Sequence, residues 1–144
     1  MKHSRWQVLR YSYYVLLGGV FTGMNCHQAA QSIYRKGLKY SKTKSAPGFI
    51  RLFTTSIANE QYHSGDKESA IELMKDLVQR YPEEPSPHHS LAILYIRFSE
   101  YPKAVQHLET ARQLEKNPKR LEEINNDLAS VHSILKRSSP KCAP

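Results

Sequence analysis

Sliding this sequence along itself by 34 residues brings Ile57 onto Leu91, Ala58 onto Ala92, Tyr62 onto Ile96, Ala70 onto Ala104, Ile71 onto Val105, Met74 onto Leu108 and Leu77 onto Ala111. A period of this size marks a stacked array of short helical units, each needing its neighbour to bury its apolar face. Within each unit the apolar residues recur every three or four, as a helix buried on one face requires. Alanines at 58, 70, 92 and 104 allow paired helices to approach closely.

The breaks fall in matching places. Ser64-Gly65-Asp66 ends one helix with glycine in a left-handed conformation and starts the next with Asp66 as N-cap, and Ser99-Glu100-Tyr101-Pro102 stands at the equivalent point of the second unit. Pro82 and Pro85 separate the units, and Ser86-Pro87 predicts a cap followed by a first-turn proline. Beyond them Leu121, Ile124, Leu128, Val131 and Leu135 step by three and four along one helical face, predicting a capping helix over 119–137.

Residues 51–118 resemble the tetratricopeptide repeat (TPR), a helical pair of this length with small residues at Ala58, Ala70, Ala92, Ala104 and Ala111, Tyr95 in the first helix and a proline near the end at Pro82. The family's Leu-Gly stands here as Ile57-Ala58 and Leu91-Ala92, its large aromatic early in the first helix is missing, and Pro118 is two residues late. The resemblance implies an all-α fold: a short α-α superhelix of two TPR-like hairpins, with a C-terminal capping helix and an N-terminal hydrophobic helix. It also implies a protein or peptide partner held in a concave groove near Thr55, Asn59, Tyr62 and His63 of the first unit and His89, Ile93, Ile96 and Arg97 of the second. Asn59, His63, His89 and Arg97 are the candidate peptide-binding residues. Of the Lys, Asn and Arg with which some members clamp a C-terminal carboxylate, only Asn59 has a counterpart, so no such clamp is expected.

The net charge of +8 suggests nucleic acid until it is divided. Met1–Asn59 holds nine Lys or Arg and no acid, whereas from Glu60 onward twelve basic residues meet thirteen acidic ones. The repeats are near neutral, so the excess suits a targeting or membrane-flanking segment better than a nucleic-acid groove.

Within that segment Tyr13–Met24 forms an apolar run of about a dozen residues, short of the roughly 20 that span a bilayer. Residues 1–26 are therefore expected to be a signal peptide or membrane anchor, and 27–47 a helix and basic linker, with Gly37–Gly48 the linker proper. Four readings compete for residues 1–26. A basic start and short apolar core before Cys26 resemble a lipoprotein signal, making Cys26 the lipidation candidate. The basic residues that follow, Arg35 to Lys44, favour an uncleaved anchor with the repeats on the side of synthesis. The absence of acids fits mitochondrial targeting as the alternative. The fourth is an ordinary helix packed on the repeats. Gly19 and Gly23 add a GxxxG spacing.

The helical domain is expected over 48–137 and a disordered tail over 138–144, where Cys142 lies one residue short of a prenylation box. No catalytic motif, phosphate loop or metal-ligand spacing is visible: His88 and His89 diverge by about 100° on a helix, and His63, His107 and His132 have no second His or Cys within a turn. No cofactor, metal or enzymatic activity is expected. The predicted function is a membrane-tethered interaction module, a scaffold or adaptor. Its alternative is a structural or assembly subunit of a larger membrane complex.

Overall fold

The computed structural model describes residues 4–138, which form seven α-helices: α1 (Arg5–Gly23), α2 (His27–Thr43), α3 (Pro47–His63), α4 (Lys67–Arg80), α5 (Pro85–Arg97), α6 (Tyr101–Leu114) and α7 (Pro118–Ser138). They fall into two compact units, Met1–Leu77 and Val78–Pro144, whose boundary lies inside α4. The expected tail beyond Ser138, with Cys142, lies outside the described residues.

One turn design recurs four times. Met24-Asn25-Cys26, Lys44-Ser45-Ala46, Ser64-Gly65-Asp66 and Phe98-Ser99-Glu100 each join two helices, and the middle residue has positive φ: 57° at Asn25, 48° at Ser45, 82° at Gly65 and 61° at Ser99. The N–H of the third residue then reaches back to a carbonyl five residues earlier. Cys26 donates to Phe21 at 2.9 Å, Ala46 to Ser41 at 3.1 Å, Asp66 to Gln61 at 2.9 Å and Glu100 to Tyr95 at 2.8 Å. This left-handed closure satisfies carbonyls that the ending helix leaves open and sends the chain back antiparallel. Asp66 caps α4 as expected, its Oδ1 accepting from the Ser69 N–H at 3.2 Å. The cap expected at Ser86 differs: α5 begins a residue earlier at Pro85, with Glu84 at the N-cap and no side-chain hydrogen bond there. A first-turn proline lacks the N–H that such a cap would satisfy.

In the first unit α1 packs on α2 and α2 on α3. Tyr11, Ala30, Tyr34, Ala46, Phe53 and Ile57 form its core, with Tyr14, Val15, Phe21, Leu38, Tyr40, Phe49 and Leu73 packed around them. The close approaches are made at two glycines. A Cβ on Gly18 would stand 2.2 Å from the Tyr34 ring, and one on Gly37 would stand 2.6 Å from the Phe53 ring. The linker expected over Gly37–Gly48 is thus mostly helix, with only a three-residue turn at its centre. Gly37 is there for contact rather than flexibility, and buried Ser41 donates its hydroxyl to the Gly37 carbonyl at 2.8 Å.

α1 and α2 repeat the register of the later hairpins. Gly18, Ala58 and Ala92 correspond, as do Ala30, Ala70 and Ala104, then Tyr34, Met74 and Leu108, then Gly37, Leu77 and Ala111, and all are buried. Leu17-Gly18 stands where the later units have Ile57-Ala58 and Leu91-Ala92. The register of the later hairpins thus extends to α1 and α2. A 34-residue comparison misses this because the first step, from Ala30 to Ala70, is 40 residues. The surplus lies in α2 and α3, 17 residues each, against 14 in α4 and 13 in α5.

No helix among the described residues is long and apolar enough to cross a membrane. The apolar run has two destinations. Tyr11 and Gly18 are buried, while Trp6, Leu9, Tyr13, Leu16 and Val20 stay largely exposed. Gly19 and Gly23 face no neighbour among the described residues.

In the second unit α5 packs on α6 and α6 on α7. Ala92, Leu108, Ala111, Ile124, Leu128 and Val131 form the core, joined by Ile96, Tyr101, Val105 and Leu135. The face predicted for the last helix is the one that packs.

Gly37→Ala and Gly18→Ala should each destabilise the protein by roughly 1–3 kcal/mol through forced overpacking against an aromatic ring. Gly19→Ala, with open space around it, should instead stabilise by about 0.5–1 kcal/mol through helix propensity. Urea melts of the three variants check the contrast, and equal effects at all three positions would contradict the packing.

Candidate functional site

Sequence placed Asn59 and His63 on one helix and His89 and Arg97 on another, and each unit surrounds its pair differently. In the first unit α3 carries Asn59, half-buried, and His63, exposed at the last turn. The His63 ring stacks on the His27 ring at 5.3 Å between centroids, and Tyr62 meets it edge-on at 5.1 Å. The His27 stacking was not visible in sequence because His27 arrives from the start of α2.

Between those residues lies a charged group that sequence reading passed over. Glu60 is 3% exposed although it is a carboxylate. A buried charge is tolerated only when paired and hydrogen-bonded. Glu60 Oε1 accepts from the Thr22 hydroxyl at 2.6 Å and Oε2 accepts from His27 Nδ1 at 2.7 Å. The Tyr34 hydroxyl lies 3.4 Å from Thr22 Oγ1 and extends the chain of polar contacts. One carboxylate therefore joins α1, α2 and α3.

In the second unit, His89 sits on the first turns of α5 and Nε2 donates to Asp127 Oδ2 of α7 at 2.8 Å. Beside it opens a cleft of about 230 Å³ lined by Pro85, Ser86, His89, Glu115, Arg120, Glu123 and Ile124. Its lining carries both signs of charge, with the buried Ile124 behind them. The α6–α7 corner is fixed from within, since Glu115 Oε1 accepts from the Lys116 and Asn117 N–H groups at 2.9 and 2.8 Å. Asn117 Oδ1 then caps α7 by accepting from the Lys119 N–H at 3.0 Å. Arg97 is exposed at the far end of α5. Ile96, whose position in the repeat suits either the groove or packing, packs against the core of the second unit.

His88, adjacent to His89 in sequence, turns the other way and is buried. Nε2 donates to the Pro82 carbonyl at 3.0 Å, and Nδ1 lies 3.3 Å from His107 Nδ1. Tyr95 stacks on His107 at 5.7 Å. Both His88 and His107 are thereby occupied in holding the α5–α6 hairpin. Among the described residues, no group of three or more His, Cys, Asp or Glu could hold a metal ion.

Cys26, the lipidation candidate, is exposed in the α1–α2 turn as the N-cap residue of α2. Processing at that point would remove α1, with buried Tyr11, Gly18 and the Thr22 contact to Glu60.

The two His–carboxylate pairs have nearly equal length but unequal burial, and burial should decide their contribution. Glu60→Ala removes the buried carboxylate that accepts from both Thr22 and His27 and should cost roughly 2 kcal/mol or more. Asp127→Ala, in a pair about one-third exposed at each partner, should cost about 1 kcal/mol or less. Thermal melts compare them, and a larger loss at Asp127 would refute the burial argument.

No family model and no curated protein matches the chain. Among solved structures, the crystal structure of the P58(IPK) TPR domain is similar over 94% of this chain with a TM-score of 0.64, at 18% sequence identity. The chain spans 36% of the length of that structure. With three hairpins in one register, four identical turns and this likeness, the chain has the tetratricopeptide-repeat fold.

Proposed function

We propose that this chain is a protein-interaction module whose second unit takes a peptide segment or a partner helix at the cleft beside His89. The observation that carries this reading is the cleft itself. It is about the size of one bulky side chain, with Ile124 beneath and His89, Arg120, Glu115 and Glu123 around it. A side-chain-sized cleft lined by polar groups of both signs is an arrangement by which helix-lined surfaces hold extended or helical peptides. Arg97 extends the contact along α5, and Asn59 with His63 offers a second, smaller set of polar contacts on α3. Proteins of this fold act in general as interaction scaffolds, and no reaction is proposed for this one.

A second reading, a structural or assembly subunit of a larger membrane complex, draws on the exposed apolar residues of α1. The two differ in behaviour: a subunit expressed alone aggregates, whereas a module stays dispersed and binds.

A random peptide library displayed on phage, selected against the full chain, tests the first reading. Enriched peptides should bind wild type and lose roughly tenfold in affinity with His89→Ala or Arg120→Glu, since a single contact near an interface centre is worth about 1–2 kcal/mol. Peptides whose binding ignores both substitutions would place recognition elsewhere and defeat the proposal.

A further inference from the structure

The outer face of α1 is unusual for a helix whose other face is already packed. Trp6 is 81% exposed, Leu9 56%, Tyr13 57%, Leu16 71% and Val20 56%. Single exposed apolar residues need no explanation, but these five step by three and four. At about 100° per residue they fall within an arc of roughly 80°. The opposite arc holds Tyr11 and Gly18, both buried, so α1 cannot rotate to cover the stripe. No described residue covers the stripe.

Charge selects the occupant. Arg5 and Arg10 flank the stripe on either side of the same helical projection, and both are exposed. The Arg10 guanidinium lies 4.7 Å over the Tyr40 ring, which fixes the basic second half of α2 beside the start of α1. Arg35, Lys36, Lys39, Lys42 and Lys44 are exposed there, and no acid occurs before Glu60. A second copy of this face would oppose two like-charged surfaces with no acid to relieve them. An acidic peptide would match the charge but not a stripe of five large apolar side chains along some four turns of helix. An anionic bilayer surface matches both: its headgroup layer attracts Lys and Arg, while Trp and Tyr settle at the boundary between headgroups and acyl chains.

We propose that α1 lies in the plane of an anionic phospholipid surface, with Trp6, Leu9, Tyr13, Leu16 and Val20 inserted and the basic residues of α1 and α2 against the headgroups. This is a peripheral seat, not a span, and it uses a surface distinct from the cleft beside His89.

Trp6 is the only tryptophan in the chain and reports directly. The full chain is mixed with vesicles of phosphatidylcholine alone or of phosphatidylcholine with phosphatidylserine, and floated on a density gradient. The expected result is flotation with the anionic vesicles, a blue shift of Trp6 emission, loss of quenching by acrylamide, and weakening by salt. Partition onto neutral vesicles should be at least roughly tenfold weaker, because the basic residues near the surface are then left without anionic headgroups. The Leu9→Glu, Leu16→Glu double variant should stay unbound while its melting temperature and phage-selected peptide binding are unchanged. Unshifted emission with both vesicle types, equal binding to neutral vesicles, or full binding by the double variant would overturn the proposal. A blue shift without lipid that grows with protein concentration, with doubled mass in sedimentation equilibrium, would do so in favour of a second copy.

Discussion

The first unit depends on two places where a helix backbone touches an aromatic ring. Tyr34 lies against the bare Cα of Gly18, and Phe53 lies against that of Gly37. Neither contact survives a methyl group without displacement, so the glycines set how closely α1, α2 and α3 approach. That spacing brings Tyr11 and Phe49 into a stacked pair at 3.8 Å. It also brings Thr22, His27 and Glu60 within hydrogen-bond reach at the other end of the same helices. Close packing near the middle of the helices thus makes the polar arrangement at their ends possible.

The parts legible in sequence were those whose signal is local or strictly periodic. The 34-residue step from Ala58 to Ala92 and from Ala70 to Ala104, the left-handed Gly65, the Asp66 cap and the apolar face of α7 all follow from spacing alone. The first hairpin was hidden by its length, because longer α2 and α3 stretch the step and dissolve the alignment although the buried positions correspond. Gly37, Ser41 and their lysine neighbours read as a linker because small and basic residues look the same whether they serve flexibility or close contact. The apolar run of residues 13–24 read as one block because sequence does not say that half of it packs inward and half faces out.

The candidate site divides along the same line. His89 and Arg97 lie on α5 as the repeat register implies, but the chemistry around them comes from residues distant in the chain. Asp127 reaches His89 from α7, His107 reaches His88 from α6, and His27 reaches Glu60 and His63 from α2. Side-chain pairing across helices has no sequence signature without a known register. Once the register is known, the same list separates histidines that maintain the hairpins from those that border an opening.

Glu60 bears on how the array can be altered. Repeat arrays commonly tolerate the gain or loss of a terminal unit, because each unit interacts only with its neighbour through an apolar face that another unit can replace. Here the third helix holds a carboxylate whose two partners lie on the first helix and at the start of the second. Trimming the first hairpin would remove both partners of Glu60, and grafting on a standard unit would not supply Thr22 and His27. The α1–α2 hairpin is therefore not an interchangeable module, because Glu60 ties it to the helix that follows.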